Sequence, residues 1–210
     1  VTLDYIKQKF PFLDFNQKKM PIYIKEMGRL ELATLFCELG FRTGVEIGVE
    51  SGMYSEHLCL ANPGLRLFSI DPYMYYPEPD VGSQDKQDKF YKWAQDRLSK
   101  FRNCTLVRNF SMNAVKDFND HTLDFVYIDG NHHLKYVIED IYEWSKKIRS
   151  GGILAGHDYI ILRNWKETHV VAAVNAYTTV YKIRPWFLIG DRGKTNPKRE
   201  GRRSFFWIIQ

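Results

Sequence analysis

Apolar positions along the chain keep two rhythms in turn. Short apolar runs alternate with longer stretches of helical spacing, and that alternation predicts a doubly wound α/β domain. The clearest run is Leu123–Ile128, reading Leu-Asp-Phe-Val-Tyr-Ile, a strand. Val45 and Ile47 alternate with Gly44 and Glu46 as a second buried strand, and Arg66–Ile70, Cys104–Val107 and Ile153–Ala155 read as three more. Between them lie predicted helices. One runs from Pro21 to Leu39, with Ile22, Ile24, Met27, Leu32, Leu35 and Phe36 near helical spacing and Gly40 as its stop. Another opens near Tyr54. Gln84 to Phe101 places Phe90, Trp93, Ala94 and Leu98 on one face, and a short helix covers Met112–Phe118. Tyr136 to Ile148 and Trp165 to Tyr177 follow the last two of these strands. Tyr181–Ile189 and Ser204–Ile209 then read as two further strands.

Length and charge narrow the picture. A chain of 210 residues suits one α/β domain, here residues 21–210, preceded by an arm at 1–20 with scattered aromatics around Pro11. The arm is irregular or short-helical and packs on the body or on a second subunit, which leaves a homo-oligomer open. No apolar run approaches the roughly 20 residues that span a bilayer, and Val1–Phe10 does not read as a signal peptide. Cys37, Cys59 and Cys104 show no metal or redox spacing and read as reduced thiols, so the expected setting is cytoplasmic, without a membrane partner. The net charge is +5, yet Asp191–Arg203 alone holds six basic and two acidic residues. The body is nearly neutral, which disfavours a broad nucleic-acid face.

The turns carry the candidate chemistry. Thr43–Ser55 is a strand, a glycine turn and a helix start with Ser55 near the cap, a cradle where backbone N–H groups meet a ligand's polar atoms. Its glycines at 44, 48 and 52 fit neither the dinucleotide fingerprint nor a P-loop, which sets aside a nicotinamide oxidoreductase. Asp71 ends the next strand, where a carboxylate can accept hydrogen bonds from ribose hydroxyls. The Tyr- and Pro-rich segment at 73–83 follows as a lid or a partner surface. Two later strands end on Asp129-Gly-Asn131-His132 and on Gly-His157-Asp158. If those tips converge, Asp129 and Asp158 share a divalent cation, with His157 or Asn131 as a further ligand. His132 stands near them as general base, its ordinary pKa close to neutrality.

Four segments, Glu-Ile-Gly-Val-Glu-Ser-Gly (46–52), Ser-Ile-Asp-Pro-Tyr (69–73), Val-Tyr-Ile-Asp-Gly-Asn-His (126–132) and Gly-Gly-Ile-Leu-Ala-Gly-His-Asp-Tyr (151–159), come in order. Together they resemble class I S-adenosylmethionine-dependent methyltransferases of family 24, similar to metal-dependent O-methyltransferases of sugars and other small hydroxylated compounds. The resemblance covers about residues 40–210. It implies a Rossmann-like sheet of about seven strands, five of them parallel, completed by a C-terminal antiparallel hairpin. It implies S-adenosyl-L-methionine held by Glu46, Gly48, Gly52, Tyr54 and Ser55, by Asp71, Pro72 and Tyr73, by Phe110 and Ser111 around the adenine, and by Asp129. Magnesium or manganese on Asp129, His157 and Asp158 would serve a small-molecule acceptor, and His132 would be the catalytic base. Two positions depart from some metal-dependent relatives: His157-Asp158 replaces adjacent carboxylates or Asp-Asn, and Asn131 replaces an acid. An acidic acceptor would suit the basic loop at 191–203. An RNA methyltransferase using the same loop and a non-catalytic binding domain are the alternative readings.

Overall fold

The computed structural model describes residues 1–78, 81–160, 169–190 and 203–210. Its centre is one sheet of eight strands, where about seven were expected. The strands are β1 (Ile22–Ile24), β2 (Thr43–Ile47), β3 (Arg66–Asp71), β4 (Cys104–Arg108), β5 (Leu123–Ile128), β6 (Ile148–Gly156), β7 (Trp186–Ile189) and β8 (Ser204–Ile208). They lie in the order β1-β7-β8-β6-β5-β2-β3-β4. All neighbours are parallel except β8, which runs antiparallel to both β6 and β7.

The additional strand corrects the first predicted helix. Ile22 and Ile24 are buried on one face and pair in parallel with Phe187 and Ile189 of β7. The helix α2 (Arg29–Glu38) begins only after Gly28, whose N–H donates to Glu31 Oε2 at 2.8 Å. Apolar residues at 22, 24 and 27 fit both periods, and pairing with β7 decides for the strand. The arm contains helix α1 (Thr2–Lys9), whose Ile6 joins the core of the body together with Phe10.

Three layers result. Helix α3 (Met53–Ala61) joins α1 and α2 on one face, against Phe125 and Tyr127 of β5. On the other face lie α5 (Ser111–Ala114), α6 (Leu134–Lys147) and α7 (Val170–Val180), against Val126 and Ile128. Strand alternation thus sends successive residues into opposite cores. Phe125 stacks on Phe36 of α2 with ring centroids 4.0 Å apart, and burial of each such side chain stabilises by roughly 1.5–3 kcal/mol. Helix α4 (Gln84–Leu98) forms a smaller cluster from Ala94, Leu98, Val49 and Tyr73.

Strand order places the site. From β2 the chain steps outward through β3 to β4, then returns to lay β5 on β2's other side. That reversal opens a crevice beyond the carboxyl ends of β2 and β5, where ligands of such sheets bind. Among the described residues no helix is long and apolar enough to cross a membrane. The predicted helix at 165–177 is seen as α7 from Val170, its start falling outside the described residues. The basic loop lies outside them too, apart from Arg203.

Candidate active site

A cleft of about 910 Å³ occupies that crevice. Its floor is the turn from β2 into α3. Gly48 has φ +84°, and a Cβ there would run into the carbonyl of Asp129. Only glycine lets the two strand tips approach so closely. Gly48 N–H donates to Ile70 O at 2.9 Å and Asp129 N–H to Ile47 O at 2.7 Å, so β2, β3 and β5 are stitched together at this point.

Asp71 closes the turn from the side. Its Oδ2 accepts from Val49 N at 2.9 Å and Glu50 N at 3.1 Å, and its Oδ1 from Tyr73 N at 2.9 Å. Burial pushes its pKa up, against those backbone hydrogen bonds. The carboxylate shapes the loop and still lines the cleft, as does Pro72.

The structure separates the expected ligand residues into two groups. Glu46, Gly48, Tyr54, Phe110, Ser111 and Asp129 line the cleft with Asp71 and Pro72. Gly52, Ser55 and Tyr73 are not part of its lining. Gly52 caps α3, and a Cβ on it would meet Leu98 and Ala94 of α4. Ser55 is fully buried because α3 turns it toward the sheet, where its hydroxyl donates to Glu46 Oε2. Tyr73, at φ +46°, is turned away from the cleft against Tyr91, and its hydroxyl donates to Glu50 O at 3.0 Å. These three brace the loop from behind. From the segment at 73–83, Met74, Tyr76 and Val81 reach the cleft.

The tips of β5 and β6 do converge. His132 Nε2 lies 3.0 Å from Asp158 Oδ2 and 3.8 Å from Asp129 Oδ1. His157 Nδ1 lies 3.6 Å from each of those two oxygens. One donor atom each from Asp129, His132 and Asp158 fall within 4.8 Å of one another, a spacing a single cation can bridge. His132 therefore stands in the tightest donor group beside the expected ligand His157. Asn131 lines the cleft, but its side chain binds Tyr76 Oη at 3.2 Å and the backbone N–H of His133 at 2.8 Å.

Charge in the cluster is mutually supported. Burial works against ionisation of Asp158, yet hydrogen bonds and positive charge from His132 and His157 hold its pKa far below the ordinary carboxylate range. Asp129 is lowered in the same way, against its burial. Burial alone would depress His132, but hydrogen bonds to Asp129 and Asp158 and their charge raise it to about 9. Away from the cluster, burial pushes Glu46 up to about 8 against hydrogen bonds from Ser55 and Ser69.

The upward shifts act together on stability. Burial also raises Asp140 to about 7. The folded chain keeps protons on Glu46, Asp140 and His132 at pH values where the unfolded chain has released them. Stability of the ligand-free protein should therefore fall as pH rises from about 5 to about 9. Urea midpoints across that range check it, with Glu46→Gln flattening the profile; midpoints that climb with pH contradict it.

Comparison with known proteins follows the same ground. The family described as a methyltransferase domain, family 24, matches residues 45–159, more than half of the chain. The chain belongs to that family. It is an S-adenosylmethionine-dependent methyltransferase, and the matched stretch runs from Val45 in β2 to the residue after Asp158. No curated protein sequence matches it. Among solved structures, this methyltransferase resembles the O-methyltransferase TomG of Streptomyces achromogenes, involved in tomaymycin synthesis and solved with SAM. The two share 14% identity over 87% of this chain and 80% of that one, with a TM-score of 0.61. A Bacillus cereus O-methyltransferase in complex with SAH has 13% identity over 99% and 90%, and a TM-score of 0.62. A Streptococcus thermophilus rRNA methylase has 12% identity over 92% and 99%, and a TM-score of 0.58. Identities this low establish the fold alone.

Two cleft residues of the methyltransferase escaped the sequence reading. Arg29 Nη1 lies 3.4 Å from Asp129 Oδ2, and its guanidinium stands 5.1 Å from the Tyr54 ring centroid. It opens α2, which the merged Pro21–Leu39 helix concealed. Asp140 sits on the buried stripe of α6, and an acid between Val137 and Ile141 was a readable signal.

Proposed function

We propose that this enzyme transfers the methyl group of S-adenosylmethionine to a hydroxyl oxygen of a small molecule, with a divalent cation assisting. The observation that carries the reading is the meeting of Asp129, Asp158, His132 and His157 at one end of the cleft. Two carboxylates with imidazoles suit magnesium or manganese, and Arg29 lies 3.4 Å from Asp129. When bound, the donor supplies an electrophilic methyl on a sulfonium, and the cation polarises the acceptor hydroxyl.

The chain's own part is alignment and proton removal. Gly48 and the Asp71-braced loop shape the donor's end of the cleft, and Phe110 and Ser111 line its far wall. Asp129 and Asp158 would hold the cation with His157, the more buried imidazole at 6% exposure. His132, its side chain 19% exposed, takes the acceptor's proton at Nε2. With the carboxylates on a cation, the attraction that keeps a proton on this ring would be weakened.

The test is a transfer assay with labelled S-adenosylmethionine, magnesium or manganese, and panels of sugar and phenol hydroxyls beside amines and thiols. Methyl ethers should form in step with S-adenosylhomocysteine. Methylation confined to nitrogen or sulfur acceptors would overturn the reading.

A further inference from the structure

Asp129 presents its two oxygens to different neighbours. Oδ1 faces the imidazoles, 3.8 Å from His132 Nε2 and 3.6 Å from His157 Nδ1. Oδ2 faces Arg29, whose Nη1 lies 3.4 Å away. A cation on the imidazole side of the carboxylate would therefore have a guanidinium as its neighbour across Asp129. The Arg29 side chain is 16% exposed, so little water screens its charge. Tyr54 holds it in two ways. The Tyr54 ring centroid stands 5.1 Å from the guanidinium, and the Tyr54 hydroxyl donates to Arg29 O at 2.9 Å. Tyr54 is itself buried against Tyr127, with ring centroids 4.5 Å apart. Lys86 and Lys135 also line the cleft, but both are exposed and lie over the rings of Phe90 and Tyr136.

The arrangement says what kind of ligand suits it. A cation and a guanidinium on one carboxylate would stand side by side as two positive centres, in a cleft where charge is poorly screened. Such a pair favours a ligand with two neighbouring oxygen groups, one of them anionic. The cation suits a hydroxyl whose proton is to be removed. The planar guanidinium offers parallel N–H donors, the fork that a carboxylate accepts. Because both centres flank the same Asp129 side chain, the hydroxyl and the carboxylate must lie close together on the ligand's skeleton.

We propose that the methyl acceptor is a hydroxy acid, its hydroxyl on the cation and its carboxylate on Arg29. The assignment rests on the cation reading above. Arg29 is then the residue that selects the acid over its neutral relatives. Tyr54 has a positioning role, since it holds the guanidinium rather than the acceptor. The reaction remains ether formation. The hydroxyl oxygen bonds the methyl carbon and gives its proton to His132, while the carbon–sulfur bond breaks and its electron pair stays on sulfur as a neutral thioether.

Calorimetry tests this with manganese and S-adenosylhomocysteine present, comparing mandelate and 2-hydroxybenzoate each with its own amide. The amide keeps the hydroxyl and removes the charge. The wild type should bind the better acid about tenfold or more tightly than its amide, the range for hydrogen bonds to a charged group. Arg29→Gln should bring that acid down to the affinity of its amide, with amide and S-adenosylhomocysteine binding little changed. Arg29→Met, which keeps a side chain packed on Tyr54, gives the same comparison if the Gln variant fails to fold. Equal binding of acids and amides by the wild type, or no binding of either acid, overturns the assignment and leaves the cation reading intact. An undiminished preference in the Arg29 variants overturns it too; if S-adenosylhomocysteine affinity falls instead, Arg29 holds the donor's own carboxylate. A wild type that binds no manganese overturns both readings.

Discussion

His132→Ala should lower single-turnover methyl transfer by roughly 10²–10⁴-fold, the span a positioned general base contributes. Geometry supplies the reason. His132 follows Asp129 by three residues, and its Nε2 points into the carboxylate pair, 3.0 Å from Asp158. The ring is more exposed than His157, so an acceptor can reach it. Removing the imidazole takes away the proton's destination but leaves both carboxylates and His157 for the cation. Affinity for manganese and for S-adenosylhomocysteine should therefore stay close to wild type. His157→Ala should do the reverse, weakening manganese binding first and restoring turnover at high cation concentration. Because His132 also lies in the tightest donor group, the two variants separate base from ligand. Loss of manganese affinity in His132→Ala, with His157→Ala unaffected, would exchange the two roles.

The sequence announced the site more fully than its supports. Strand tips are readable because apolar runs stop abruptly at them, which puts Asp71, Asp129, His157 and Asp158 at one end of a parallel sheet from the sequence alone. Gly48 was readable because a strand followed by glycine and a helix needs a close turn. Ser55 and Tyr73 misled, since proximity in sequence to a motif does not give side-chain direction. Where α3 begins decides the first, and a positive φ decides the second. Ile22–Ile24 was read as helix because its short period resembles the start of a longer one, and only pairing with β7 resolves it. Arg29 reaches Asp129 across 100 positions of sequence, a contact with no local signature. Asp140 left a trace, an acid on an apolar helix face, but its serine and indole partners come from tertiary packing.

The second large effect is expected from removing the cation. The imidazoles beside Asp129 and Asp158 lower both pKa values, so at neutral pH the cluster offers anionic oxygens to a hard cation. The end of the cleft proposed for the donor is built from other parts: the Gly48 turn, Asp71, and the wall at Phe110 and Ser111. Of the cluster, Asp129 alone is proposed for both donor and cation. Chelation should therefore abolish catalysis while sparing donor binding. The most direct measurement follows turnover and S-adenosylhomocysteine affinity side by side, in chelator and after magnesium or manganese is restored. The predicted result is turnover lost in chelator and recovered with the cation, at nearly constant affinity. Undiminished turnover in chelator would contradict the account.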